Sequence, residues 1–167
     1  MKVTDKYIYF WGEWPSNWHP CSITVKEDDK TLEFYTSEQY FMYKKAKTFG
    51  DEEIASRILF EGADPRQAKA LGRQVRNYDD KVWNEKRYEI MLEANILKYS
   101  QNEELLKKLL DEKYKGKHFV EASRFDRVWG VGLSEDDPLI EDERNWLGRN
   151  LLGKVLDETR EHLLKKI

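Results

Sequence analysis

The chain has 167 residues, enough for one domain with a sizeable core. Charged residues make up 37% and aromatic residues 13%, and the net charge is −3 with Lys and Arg interspersed among Asp and Glu. No basic block stands out, which disfavours tight sequence-independent nucleic-acid binding and leaves room only for a local phosphate site. The six Trp and nine Tyr exceed what packing alone requires, and such rings also serve as stacking platforms for flat ligands.

Taken in chain order, Tyr7 to Trp11 is a short β-prone run. Gly12 to Pro20 follows, a rigid loop with two prolines, a glycine and the rings of Trp14 and Trp18, of the kind that lines a site or plugs a core edge. Cys21 to Val25 alternates as a strand should, Glu27 to Lys30 is a polar turn, and Leu32 to Tyr35 returns as the second strand of a hairpin. Thr36 and Gln39 have capping-box spacing, so a helix is expected to start at Ser37. Phe41, Met42 and Ala46 recur on it at the spacing of a buried face. Glu38 and Lys45 lie two turns apart and point the same way, with Phe41 between them. A carboxylate and an ammonium on an apolar face are costly unless paired or used. A snorkelling Lys45 with a solvated Glu38 is the plain alternative.

Asp51 can cap a second helix with Ile54, Ala55, Ile58 and Leu59 as its apolar face. Asp64-Pro65 is a strong start for a third. There Lys69 and Arg73, spaced i,i+4, make either a solvated basic face or a phosphate clamp. Asp79-Asp80 opens the longest helix, about Lys81 to Tyr99, whose Trp83, Arg87, Ile90, Met91, Ala94 and Leu97 read as a core stripe. Asn102 is expected to cap the next helix. His118 to Ser123 is an extended segment with one acid, Glu121, leading into Asp126, Trp129, Gly130 and Gly132. The last helix runs to about Lys165. Gly148 and Gly153 beside it each cost about 1 kcal/mol against Ala, so close packing or a ligand near the backbone must offset them. The whole reads as an α+β, predominantly helical single domain over residues 1–167, with six or seven helices and a small antiparallel sheet.

One cysteine, Cys21, excludes an intrachain disulfide and suits a reducing cytoplasm; it reads as a structural thiol. His19, His118 and His162 fall in no metal-ligand spacing, so neither a metal nor another cofactor is expected. Met1 to Asp5 has no apolar core of signal length, and no window approaches a membrane span.

Several segments together resemble the NADAR family, also called YbiA-like proteins. They are Trp11-Gly12 with Asn17-Trp18-x-Pro20, then Glu38-x-x-Phe41-Met42 with Lys45-Ala46, then Asp64-Pro65 with Ala68-Lys69-x-Leu71-Gly72-Arg73. Trp83, Met91 and Lys98 follow, then Val120-Glu121-Ala122-Ser123, Asp126-x-x-Trp129-Gly130 and Gly148-x-Asn150-Leu151-Leu152-Gly153. The likeness spans Trp11 to Arg160, and its specificity lies in the order and spacing of the segments.

The resemblance implies a mainly helical N-glycosidase acting on a small ribosylamine phosphate, such as a ribosylamino-pyrimidine phosphate of early riboflavin synthesis. It leaves two alternatives open. One is removal of ADP-ribose from guanine in DNA, with ADP-ribosylated nucleic acid as partner. The other is a non-enzymatic module that binds ADP-ribose or a nucleotide. For an enzyme the acids are Glu38, Glu121 and Asp126, and the covalent amine is Lys45 or its rival Lys69. The reaction goes either by acid-assisted departure of the amine or through a lysine Schiff base. Trp18 and Trp129, with Gly130 beside it, are placed for stacking. Asn17 and Asn150 are assigned to ribose hydroxyls, and Arg73 to phosphate.

Overall fold

Thr36 starts the first helix as its spacing suggests: Oγ1 accepts from the Gln39 N–H at 3.0 Å. The Gln39 side chain reaches one residue further back than a capping box requires, to the Tyr35 N–H at 2.8 Å. Asp51, Asp64 and Asp79 cap the next three helices with their side-chain oxygens. In the computed structural model, which describes residues 1–167, the strands are β1 (Lys2–Val3), β2 (Tyr7–Phe10), β3 (Ile23–Glu27), β4 (Lys30–Phe34) and β5 (His118–Glu121). The helices are α1 (Ser37–Thr48), α2 (Glu52–Glu61), α3 (Pro65–Gly72), α4 (Asp80–Ser100), α5 (Glu103–Leu109) and α6 (Leu151–Leu164). Three 3-10 turns lie at Glu112–Tyr114, Pro138–Glu141 and Glu143–Asn145. This is the predominantly helical α+β chain expected, with six helices.

The chain gathers into two compact units, Asn17–Glu103 and Met1–Ser16 with Glu104–Ile167. In the first, β3 and β4 form the antiparallel hairpin, paired from Ile23↔Phe34 to Glu27↔Lys30. Helix α1 packs against α2, α3 and α4. Every residue from Ser37 to Tyr43 is buried, so α1 is not the one-faced helix its periodicity suggests but the unit's central rod. Phe34 meets Tyr40 and Tyr43 edge-on at 5.1 and 5.2 Å, and Phe41 meets Trp83 at 5.1 Å. Fully burying such a side chain contributes about 1.5–3 kcal/mol. The α4 stripe buries Trp83, Met91 and Ala94, and also Asn95, Lys98 and Tyr99. Asn102 goes elsewhere than to a cap: its amide exchanges hydrogen bonds with the backbone of Ser22 at 3.0 and 2.9 Å and donates to the Lys98 carbonyl at 2.7 Å.

In the second unit β2 lies between β1 and β5. It runs antiparallel to β1 and parallel to β5, with Tyr7↔His118 and Phe10↔Glu121 in register. The sheet is therefore mixed, where an antiparallel one was expected. A parallel pair needs a long crossover, and here the whole of the other unit's chain lies between the two strands. All four β2 residues are buried, as suits a central strand. Tyr7, Tyr9, Val120, Ala122, Val131, Leu133 and Ile140 form the core beside it, with Trp146 packed on top. Gly148 and Gly153 answer to close packing. A Cβ at Gly153 would stand 2.1 Å from the Phe119 carbonyl oxygen, and one at Gly148 would stand 2.3 Å from that of Gly130.

Candidate active site

In the unit built on α1, Glu38 sits in the helix's first turn, where the N-terminal dipole favours a carboxylate. It is buried, and its backbone N–H donates to the Asn17 carbonyl at 3.1 Å. Asn17 is buried beside it. Its Oδ1 accepts from Ser37 Oγ at 2.8 Å and from Asn95 Nδ2 at 3.4 Å, so this amide braces the start of α1.

Lys45 lies two turns on and is half-buried. Burial pulls its proton affinity below that of an ordinary lysine; the Glu38 charge opposes this and the Arg73 charge adds to it. Arg73 comes within electrostatic reach because α3 presses on α1. A Cβ at Gly72 would stand 2.1 Å from Met42 Sδ. Two rings complete the surroundings. Lys45 Nζ lies 4.8 Å from the Tyr78 ring centroid and 6.0 Å from that of Trp83. Lys69 is exposed, with Nζ 6.0 Å from the ring of the partly exposed Trp18. The structure thus brings Glu38, Lys45 and Arg73 together, and pairs Lys69 with Trp18.

In the other unit Glu121 ends β5, half-buried. Asn150 holds the strand there: its Oδ1 accepts from the Glu121 N–H and its Nδ2 donates to the Phe119 carbonyl, both at 3.0 Å. With a left-handed φ of 51° Asn150 precedes α6, and its amide clamps β5 rather than capping the helix. Asp126 Oδ1 accepts from the Val128 and Trp129 N–H groups at 2.9 and 2.8 Å, a turn that sets the half-buried Trp129. Gly130 is buried, and its carbonyl accepts from the Asn150 N–H at 3.1 Å.

Two residues were not singled out as site candidates from the sequence. Tyr78, just before the Asp79 cap, offers no local pattern beyond being an aromatic at a helix entry. Lys98 is fully buried, and burial brings its amine down to about 7. Cys21 lies within its electrostatic reach, and burial pushes that thiol upward, away from a reactive thiolate. A separate groove of about 260 Å³ beside the hairpin is lined by Glu27, Tyr40, Tyr43, Lys44 and Glu93 among others, and holds neither Glu38 nor Lys45. Its carboxylates already accept from phenols: Glu27 from Tyr43 at 2.8 Å, Glu93 from Tyr40. No three His, Cys, Asp or Glu side chains gather closely enough to hold a metal ion. No helix is long and apolar enough to cross a membrane.

A buried carboxylate, a half-buried amine and a guanidinium on one helical scaffold suit acid–base or amine-nucleophile chemistry. The NADAR domain family matches residues 9–164, and the chain belongs to that family. Protein irg-1 of Caenorhabditis elegans is 41% identical over 160 residues, 89% of this chain and 74% of that protein. An N-glycosidase of Acanthamoeba polyphaga mimivirus is 38% identical over 169 residues, 95% of this chain and 96% of that protein. A riboflavin biosynthesis protein of Vibrio vulnificus is 30% identical over 169 residues, 96% of this chain but 40% of that protein. The NMR structure of the E. coli protein YbiA matches with a TM-score of 0.74 at 29% identity, over 99% of this chain and 89% of that one.

Proposed function

We propose that this protein hydrolyses the bond between ribose and an exocyclic amine of a heterocycle, most simply a ribosylamino-pyrimidine phosphate, with Lys45 as the nucleophile. The enzyme class is that of its kin: relatives named N-glycosidase align along most of the chain. The Vibrio relative's name supports the substrate. The observation that carries the route is the Lys45 amine, half-buried beside Glu38 and Arg73 and easier to deprotonate than a surface lysine.

The C1–O4 bond of the ribose breaks as the amine nitrogen forms an imine with C1, and the proton that nitrogen loses passes to O4. Free Lys45 Nζ adds to C1, and the heterocyclic amine leaves after taking a proton from a carboxylic acid. That leaves a Schiff base between Lys45 and C1. Water adds to C1, the carbinolamine collapses, and ribose phosphate departs as Lys45 regains its free amine. Glu38 is assigned the proton traffic at Lys45 and Arg73 the phosphate. Glu121 and Asp126 enter as the further acids, Trp129 and Trp18 as stacking rings, and Asn17 and Asn150 as supports. Lys69 is the rival amine, but its exposure gives it no desolvated setting. A cytoplasmic setting fits the single Cys21.

The test is mass spectrometry of the heterocycle released from a ribosylamino-pyrimidine phosphate and from ADP-ribosylated guanine in DNA. Release from the first is expected. Release only from the second moves the substrate assignment, and release from neither leaves a binding module. Borohydride added during turnover should fix an adduct that peptide mapping finds on Lys45. Lys45→Arg should still bind ribose 5-phosphate and turn over nothing, because guanidinium stays protonated. An adduct on Lys69 or Lys98 relocates the nucleophile.

A further inference from the structure

The half-buried Lys45 lays its amine beside aromatic rings. Its Nζ lies 4.8 Å from the centroid of Tyr78, with Trp83 behind at 6.0 Å. The Tyr78 ring is held from two directions. Its hydroxyl donates to Asp80 Oδ1 at 2.8 Å, and Phe49 packs on it at 5.3 Å between centroids. Phe49 also lies 6.3 Å from Trp83, and Trp83 lies 5.1 Å from Phe41, so Lys45 reaches along a continuous aromatic wall. Tyr78 is the exposed end of that wall at 43%. The bond to Asp80 and the contact with Phe49 restrain the ring that Lys45 lies over.

We propose that Tyr78 is a positioning residue for Lys45: its fixed ring face holds the amine in one orientation and favours its ammonium form between turnovers. For its kinetic consequence alone this rests on the reading of Lys45 as nucleophile. An ammonium over a π face gains electrostatic stabilisation that the free amine lacks. The groups that set the balance are Glu38 on α1, which supports the ammonium, and Arg73 at the end of α3, which opposes it. Asp79, Asp80 and Arg87 act on Tyr78 itself, and Asp51 at the start of α2 is taken by Arg76.

The experiment titrates Lys45 directly by competitive acetylation across pH, followed by peptide mass mapping, and needs no turnover. It compares the wild-type protein with Tyr78→Phe, Tyr78→Leu and a protein carrying pentafluorophenylalanine at the same position. The fluorinated ring keeps shape and burial but removes the negative face, which also covers the case of a poorly folded Tyr78→Leu. Tyr78→Phe keeps the ring face but loses the Asp80 bond, so it should move the Lys45 midpoint less than the other two replacements. The leucine and the fluorinated ring should lower it by about 0.5 to 1 unit. In turnover the acid limb of kcat/KM should move down by the same amount. Identical midpoints in all four proteins overturn the assignment. A lowered midpoint with no borohydride adduct on Lys45 leaves the pairing in place and overturns the proposed chemistry instead.

Discussion

Asn150 grips two points of the strand that carries Glu121: Oδ1 accepts from the Glu121 N–H and Nδ2 donates to the Phe119 carbonyl, each at 3.0 Å. The bond to the Phe119 carbonyl is buried and that to the Glu121 N–H partly so. Asn150→Asp keeps the acceptor and loses the donor, leaving the Phe119 carbonyl buried without that partner. The expected loss is about 1–3 kcal/mol, read from urea denaturation. Turnover should fall with it, because the clamp sets where Glu121 stands. An Asn150→Asp protein of unchanged stability would remove the clamp from the account.

Asp51 joins the start of α2 to the segment after α3. It accepts from the Ile54 N–H at 3.1 Å, from the Arg76 N–H at 2.8 Å and from its guanidinium at 2.9 Å. Those bonds to Arg76 hold the carboxyl far below the usual carboxylate range. The stabilisation is complete above the unfolded value of about 4 and is lost as pH falls below it. Arg76 is largely exposed, which screens the pair, so Asp51→Asn should cost only about 1–2 kcal/mol at neutral pH. Its stability should also fall less between pH 5 and pH 2 than that of the parent, as followed by circular dichroism. Parallel acid-unfolding curves would contradict this.

What the sequence made legible was local chemistry. Thr36, Asp51, Asp64 and Asp79 each cap a helix through an N–H within three residues, so their capping can be read from spacing alone. The parallel pairing of β2 with β5 joins segments far apart in the chain, and nothing in Tyr7 to Phe10 or His118 to Glu121 encodes it. The site divides the same way. Glu38 and Lys45 share one helix, and two turns of spacing place them on one side. Tyr78 reaches Lys45 only because α4 packs on α1, a tertiary event with no local trace. Lys98 stands in the sequence only as one point of the family likeness, and its complete burial is a tertiary outcome that spacing does not show.

Lys98 therefore carries its own prediction. Its amine is brought down to about 7 by burial, against 10.5 for an ordinary lysine. Between those values the unfolded chain binds a proton that the folded chain does not, so stability rises with pH through that window. The penalty is complete below pH 7 and gone above about 10.5. Met nearly matches the length of Lys without its charge. Because only the parent carries the titrating amine, its stability relative to Lys98→Met should rise between about pH 7 and pH 10. Urea midpoints at about pH 7 and 9.5 check this. A difference between the two proteins that stays the same at both pH values would contradict the lowered proton affinity of Lys98.

Arg73 should move Lys45 in the direction opposite to Tyr78. Its guanidinium disfavours the Lys45 ammonium, so Arg73→Gln should raise the Lys45 midpoint and shift the acid limb of kcat/KM to higher pH. A second effect separates binding from titration. If Arg73 holds the substrate phosphate, removing it loses a charge-assisted bond of about 1.5–3 kcal/mol, a rise in KM of roughly 10- to 100-fold for a phosphorylated ribosylamine. The same substrate without phosphate never made that bond, so its KM should barely change, while its pH profile still shifts. Steady-state kinetics of the two substrates across pH, in wild type and Arg73→Gln, measure both effects at once. Equal losses on the two substrates would take the phosphate away from Arg73 and leave it only the electrostatic part. An unshifted acid limb would take that away as well.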